Sequence, residues 1–269
     1  MRIRKILSAL LLTACTAEVW GQTIIHDTVY IVIPQPKQTV TARMVGFGRG
    51  NILDTYLSPE KYTGPEVKYI SHTTYHKTDS RMSTQIINQG SFAYTDNRSG
   101  NGREMAGAYS FAYGRHYNWY LQDLHLNIKA GLLAEMMLGF IYNTRNSNNP
   151  AQARANICLS PNASACYKFS LGNRPYTLRY ELNIPLVGLM FSPNYGQSYY
   201  EIFSRGNYDH NIVATWPGNA PSMRHMLTVD FTLGRRTFRM GYLGDFQQAR
   251  VNQLKQHVYS NAIVLGMVL

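Results

Sequence analysis

Few residue pairs in the sequence have the types and spacing needed for nucleophilic catalysis. That chemistry needs a serine activated by a histidine on the same face, with an acid or amide that orients the histidine. The best candidates are His257 and Ser260, but a spacing of three puts them on opposite faces of a regular strand unless a β-bulge intervenes. His125, His210 and His225 have no serine two residues away. We therefore assign no catalytic residue, and we expect that the protein is not an enzyme.

Metal and phosphate chemistry is weakly supported as well. The histidines are scattered, and Cys158 and Cys166 have no second pair of ligands at the spacing of a zinc site. The glycine-rich run 46–50 has no helix after it and lacks the lysine of a phosphate-binding loop. We expect no metal and no cofactor.

The same two cysteines could instead have a structural role as a disulfide. Cys158 and Cys166 fall on the polar faces of two short predicted strands, 153–159 and 165–171, which flank a predicted turn at Ser160–Asn162. Because exported proteins meet an oxidising compartment, one interpretation is a disulfide across this hairpin. The alternative is two free thiols that lie too far apart to bond.

The N-terminus has the features of an export signal. A basic start precedes the short apolar run Ile6–Ala14, and Val19–Gly21 offers compact residues to a signal peptidase. We predict a signal peptide over residues 1–21, with cleavage before Gln22. A competing interpretation is that Leu12–Cys15 is a lipoprotein box, which would place a lipid on its cysteine.

The charge balance bears on the partners of the chain. The 269 residues carry a formal charge of +11, yet the basic residues are dispersed and form no lysine-rich tail. We therefore expect no nucleic-acid partner. The positive charge would attract anionic lipid head groups, including lipopolysaccharide phosphates. The alternative is that the charged side chains only solvate the lumen and loops. After the signal no apolar run reaches eighteen residues, so the sequence predicts no transmembrane helix.

The stretch Leu124–Asn143 shows the clearest periodicity in the chain. The even positions are apolar throughout: Leu124, Leu126, Ile128, Ala130, Leu132, Ala134, Met136, Leu138, Phe140 and Tyr142. The odd positions include every charged residue of the stretch, His125, Lys129 and Glu135. Side chains alternate between two faces only in an extended strand. About twenty alternating residues suit a barrel strand with lipid on one side and a polar lumen on the other.

Similar alternation continues over the rest of the chain and predicts the fold class. We predict an all-β fold, a transmembrane antiparallel up-and-down β-barrel of about twelve strands, over residues 39–269. Residues 22–38 would form a periplasmic segment before the barrel. One long loop or plug is expected around residues 191–207, where the alternation breaks. A soluble β-sandwich is the alternative architecture.

The predicted polar faces define the residues expected in the lumen. The candidates are Asn127, Lys129, Glu135, Arg154, Lys168, Arg179, Glu181, Asn183 and Asp230. The candidates in the long loop or plug are Tyr195, Gln197, Tyr199, Tyr200, Glu201, Asp209 and His210. Lumen residues of both signs indicate a charge-paired interior, with a solute-selective pore lining as the alternative. The loop residues fit a plug whose tyrosines bond to the lumen wall, a constriction, or a site that recognises a sugar or lipid head group.

Three segments resemble a known protein family. Leu53–Pro59, Phe191–Phe203 followed by Asn207–Asn211, and Gly241–Asp245 are similar to the domain-of-unknown-function 3316 family of exported proteins of Gram-negative bacteria. The resemblance covers the chain from about Thr39 to its end. It implies an outer-membrane barrel and brings no catalytic residues to carry over. A weaker likeness links His257–Ala262 to the His-x-Ser-Asn-Ala stretch of lipid A deacylases, although one extra residue intervenes here.

Together these features predict an outer-membrane barrel that acts as a narrow or plugged pore, a surface-binding barrel or a structural barrel. The alternative is an outer-membrane lipid-modifying hydrolase, a phospholipase or lipid A deacylase. The expected partners are outer-membrane lipid, lipopolysaccharide and the barrel assembly machinery. We expect a monomer.

Overall fold

The computed structural model describes residues 37–77 and 80–269, which form an all-β protein. The predicted signal peptide, the cysteine of the lipoprotein box and nearly all of the segment 22–38 lie outside the described residues. The twelve strands are β1 Lys37–Asp54, β2 Ser58–Lys77, β3 Met82–Asn97, β4 Arg103–Leu121, β5 Leu126–Asn143, β6 Ala151–Leu171, β7 Arg174–Asn183, β8 Val187–Phe191, β9 Ile212–Thr215, β10 Met223–Leu233, β11 Arg236–Val251 and β12 Leu254–Val268. Helix α1 spans Tyr199–Phe203. No helix among the described residues is both long and apolar enough to cross a membrane.

The strands form a closed antiparallel barrel. Ten of them make a ring in the order β5-β4-β3-β2-β1-β12-β11-β10-β7-β6, and pairing of β5 with β6 closes it. The short strands β8 and β9 are not counted in this ring: β8 pairs with β6 beyond the end of β7, and β9 pairs with β8. The predicted fold class is confirmed. The total of twelve strands also agrees, although only ten belong to the ring.

The side chains of β5 follow the alternation seen in the sequence. Leu132 and Leu138 are exposed on the outer face, whereas Leu133 and Ile141 are buried in the lumen. Each strand of the ten-stranded ring is hydrogen-bonded on both sides, so alternate side chains must face either the enclosed centre or the outer surface. Glu135 lies on the inner face, where it contacts Asn183 of β7 and Arg224 of β10.

The two ends of the barrel differ in their connections. At the end that carries Lys37 and Val268, here called the termini end, the turns are short, and Gly172 and Gly234 adopt positive φ angles of 59° and 62° in two of them. At the opposite end, here called the loop end, a long excursion from Ser192 to Asn211 separates β8 from β9 and contains α1. The predicted long loop is therefore present.

The boundaries in one region differ from the sequence-based prediction. The segment Ser160–Asn162 is not a turn, because it lies in the middle of the continuous 21-residue strand β6. Pro161 is accommodated because its carbonyl accepts a backbone bond of 3.1 Å from Ile184, while only its N–H is missing from the ladder. Strands β1 and β2 are joined by the tight turn 55–57.

The lumen is filled by the inward side chains of the wall. An apolar layer crosses its middle and comprises Ala42, Met44, Ile70, Ile87, Ala112, Leu133, Met226, Leu243 and Val264. Polar and charged side chains lie on both sides of this layer. Nearer the loop end, a second apolar cluster around Ile52, Tyr62 and Ile141 covers part of the lumen. The interior is therefore layered.

Candidate functional site

Most of the predicted lumen residues lie on the inner face. Arg154, Glu181 and Asn183 are buried there, and Arg179 and Asp230 are half-buried at the same face. Asn127 and Lys129 are half-buried near the termini end. Lys168 differs, because it sits near the end of β6 and is exposed. It joins none of the buried clusters described below.

A polar cluster between the apolar layer and the termini end is centred on Glu181. Its carboxylate accepts hydrogen bonds from Gln85 at 2.9 Å and from Asn162 at 3.2 Å. The ring of His72 lies 3.7 Å from the same carboxylate. Four strands thus converge on one buried carboxylate, which compensates the cost of removing it from water.

Asp230 and Arg239 form a second contact in this half of the barrel. They are direct cross-strand partners on β10 and β11, and two bonds of 2.6 and 2.7 Å join the guanidinium to the carboxylate. The Arg239 side chain is only 3% exposed. A bidentate pair with this burial is a structural tie between two strands.

A charged cluster lies between the apolar layer and the loop end. Lys68 bridges two carboxylates, at 3.0 Å from Glu66 and 3.6 Å from Asp245. Asp245 also accepts a bond of 3.0 Å from Gln89, and Ser260 donates to Glu66. The sequence-based prediction missed these residues, although the alternation of inward and outward side chains along their strands could have identified them.

Arg224 and Glu135 continue this cluster toward β7. Their charged groups are 3.5 Å apart, and Asn183 donates a bond of 2.6 Å to the same carboxylate of Glu135. Arg154 lies nearby on β6 and donates to Gln247 at 3.0 Å. Among the described residues, Arg154 forms no salt bridge, and its buried Nε has no hydrogen-bond partner.

A cavity adjoins these arginines. It has a volume of about 100 Å³, and Arg154, Arg224, Glu135, Asp245 and Asn156 contribute its polar lining. The apolar lining comes from Met136, Pro185, Leu186, Val187, Trp216 and Met223. We call this space the side cavity. It is large enough for a few water molecules or for the head group of a small ligand.

The long loop lies across the loop end rather than inside the lumen. The hydroxyl of Tyr199 donates to Gln152 at 3.1 Å and accepts from the backbone of Ala153 at 2.6 Å. Tyr56 donates to the carbonyl of Gln197 at 2.9 Å, and its ring packs edge-on against Tyr199. The loop is therefore a cap that is held by β6 and by the β1–β2 turn.

The cap has its own internal supports. Ser198 and Glu201 form a capping box at the start of α1, and the side chain of Gln197 is buried among Asn194, Asn207 and Asn211. Bonds from Ser198 hold the pKa of Glu201 below its usual value. Burial and nearby carboxylates raise the pKa of Tyr56 to about 12. The remaining loop candidates are solvent-exposed: Tyr195, Tyr200, Asp209 and His210.

The candidate catalytic pair is not assembled. Ser260 faces the lumen and bonds to Glu66, whereas His257 lies at 2.7 Å from the side chain of Asn51. Regular pairing through this part of β12 leaves the two side chains on opposite faces of the wall, as their spacing predicts. No feature of this region brings a histidine to Ser260 among the described residues.

The disulfide interpretation is wrong. Cys158 and Cys166 are free thiols on a single strand, β6, and not on two arms of a hairpin. Eight residues of extended chain separate their Cα atoms by about 26 Å. A disulfide needs a separation of about 4.4–6.8 Å.

Comparisons with known proteins identify the family of the chain. The model of a family described as protein of unknown function, DUF3316, matches residues 6–269. The chain belongs to the DUF3316 family. This confirms the resemblance found in the sequence, and a comparison with curated proteins finds no match.

Three solved structures align with the chain at low similarity. The transport unit of the autotransporter AIDA-I from Escherichia coli has 8% identity and a TM-score of 0.44, over 86% of this chain and 90% of that chain. The translocator domain of the autotransporter NalP from Neisseria meningitidis has 10% identity and a TM-score of 0.37, over 98% and 94%. Neisserial surface protein A has 8% identity and a TM-score of 0.35, over 86% and 99%.

Proposed function

We propose that the protein is a closed, monomeric barrel of the outer membrane with a structural or surface-binding role, and not an open diffusion pore. The observation that supports this proposal is the apolar layer in the lumen. Eight strands contribute to it, and its nine side chains are all at most 7% exposed. Ions that cross this packed layer must shed much of their hydration shell, which makes passage costly.

The outer surface supports a location in a bilayer. Large apolar side chains such as Phe47, Leu138 and Ile263 are 65%, 53% and 67% exposed on the outer face. A surface of this kind is stable in hydrocarbon and would aggregate in water. We assign the outer membrane, with lipid and lipopolysaccharide around the barrel and the barrel assembly machinery as the inserting partner.

The two ends of the barrel favour one orientation. Outer-membrane barrels have short periplasmic turns and longer extracellular loops. The termini end therefore faces the periplasm and the cap faces outward. The cap exposes Tyr195, Tyr200, Phe203 and Tyr208 to solvent, each by more than 60%. Exposed aromatic side chains of this kind are typical of binding surfaces, which supports a surface-binding role.

Planar-bilayer conductance tests the closed lumen. The wild-type protein should insert without steady conductance steps, and so should a variant that lacks cap residues 194–208. The second result is expected because the apolar layer lies in the barrel itself and not in the cap. Steady conductance of the wild type would refute the proposal. Steady conductance of the deletion variant alone would show that the cap is the barrier.

A further inference from the structure

The wall of the barrel has an unpaired slot beside the side cavity. Strand β7 pairs with β10 as far as Asn183 and Arg224, and β8 pairs with β9 from Gly188 and Thr215 onward. Between these points the slot has two sides, residues 184–187 (the first bank) and residues 216–223 (the second bank), which form no ladder pairs with each other in the described structure. The strands of the ten-stranded ring are otherwise paired with a neighbour on both sides.

A bulge marks the first bank of the slot. Ile184 and Leu186 donate backbone bonds of 3.1 and 2.9 Å to β6. The backbone nitrogen of the residue between them therefore points away from β6, toward the slot. Proline occupies that position, and Pro185 has no N–H to offer across the slot. Leu159 of β6 accepts the bond from Leu186 and is also the register partner of Val187, which makes this a β-bulge.

The second bank is held away from the first. Arg250 of β11 donates a bond of 2.7 Å to the carbonyl of Asn219, and Ser222 contacts the backbone of Gln248 on the same strand. Residues 219–222 therefore stay with β11. Pro217 and Pro221 on this bank also lack the N–H needed to pair across the slot. The sequence thus prevents the ladder from closing here.

The slot joins two environments of opposite character. Its mouth exposes Leu186, Val187 and Trp216, which are 51%, 52% and 54% exposed on the apolar outer face. Its inner end is the side cavity, where the buried Nε of Arg154 and one terminal nitrogen of Arg224 have no hydrogen-bond partner among the described residues. Buried guanidinium N–H groups are costly to leave unpaired, and they bind anionic oxygens well.

From this geometry we infer that the side cavity binds the anionic head group of a single-chain amphiphile, a carboxylate or a phosphate, whose apolar chain leaves through the slot into the bilayer. The head group accepts hydrogen bonds from Arg154 and Arg224. The chain lies against Leu186, Val187 and Trp216. This inference goes beyond the closed barrel proposed above, because it concerns access from the side and not passage along the axis.

Trp216 provides a reporter at the mouth of the slot. Trp119 lies on β4 near the termini end and reports nonspecific partitioning into the surrounding detergent. Dodecanoate and dodecyl phosphate, each brominated in mid-chain, would be titrated into the full-length protein in a neutral detergent. Two variants would each retain one tryptophan, Trp216 or Trp119. We expect saturable quenching of Trp216 by an anionic probe, and only weak, linear quenching of Trp119.

Brominated dodecanol has the same apolar chain but an uncharged head group, so it tests the role of the charge without any change to the protein. We expect no saturable quenching with dodecanol. Arg154→Gln should weaken binding of the anionic probe roughly tenfold or more, since it removes charge-assisted hydrogen bonds. Arg43→Gln, which removes an exposed charge on β1, is the matched control and should bind as the wild type does.

The titrations show which kind of head group binds, and they also show whether the side cavity binds an anionic amphiphile at all. Saturation with dodecanoate alone identifies a fatty-acid-like ligand, and saturation with dodecyl phosphate identifies a lipid phosphate. Equal quenching by dodecanol, or no saturable quenching at all, would overturn the inference even if Arg154→Gln fails to fold. A conducting wild type in the bilayer would refute the closed lumen without affecting these titrations.

Discussion

The pair Asp230–Arg239 allows a direct test of how far water reaches into the termini half of the lumen. Both residues of the pair are nearly enclosed, with side chains that are 12% and 3% exposed. Replacing Asp230 by alanine leaves a buried guanidinium without its partner. Two unit charges about 4 Å apart interact by roughly 4 kcal/mol at an effective dielectric constant of about 20. We therefore expect Asp230→Ala to lower the free energy of unfolding by about 3–5 kcal/mol.

The chain contains a matched control for this substitution. Asp96 and Arg103 are also direct cross-strand partners, joined by a bond of 3.1 Å, but their side chains are 46% and 57% exposed. Asp96→Ala should cost no more than about 1 kcal/mol, because water and salt screen an exposed pair. Urea unfolding of the protein refolded in lipid vesicles measures both variants. Equal losses for the two would refute the reasoning and show that the termini half of the lumen behaves as bulk water.

Three further predictions concern the layer, the cap and the thiols. Leu133→Ala, within the apolar layer, should cost about 2–5 kcal/mol in the same urea assay, and a loss below 1 kcal/mol would mean that the layer is not packed. The pKa of Glu201 is lowered in the folded cap, so its bond to Ser198 stabilises α1 above about pH 4.5 and is lost as the pH falls through that depressed pKa. Amide exchange of α1 should therefore accelerate in acid. Exchange in α1 that does not depend on pH in this way would contradict the prediction. Cys158 and Cys166 should both alkylate in denaturant without reductant, and a peptide pair linked by a disulfide in mass spectrometry would contradict the structure.

The alternation of side-chain type in the sequence was enough to predict which face each strand residue occupies. Leu132 and Leu138 face outward and Leu133 faces inward, because every strand has the same period of two whatever its neighbours are. For the same reason the opposite placement of His257 and Ser260 follows from their spacing alone. These are local properties of an extended backbone.

Two predictions failed because they depended on local turn propensity. The proline and asparagine of Ser160–Asn162 favour a turn, yet pairing with β5 on one side and with the β7–β8 bank on the other keeps the segment extended. Once β6 is continuous, Cys158 and Cys166 are separated along one strand and have no route to each other. Tertiary pairing overrode a signal that was valid only locally.

The clusters in the lumen required the tertiary structure. Glu181 meets His72 and Gln85, which are about one hundred residues away in the sequence, and only the closed ring places them together. Similarly, the prolines that border the slot are visible in the sequence, but no pattern predicts that they lie on the two sides of one opening in the wall.

The sequence by itself thus determined that the chain is made of long two-faced strands, and which side chains each strand turns inward. It did so because the period of a strand is set by the backbone. Only the tertiary structure decided the number of strands in the ring, the apolar layer and the opening beside Arg154. These depend on register and ring closure, which are set by all the strand pairings together.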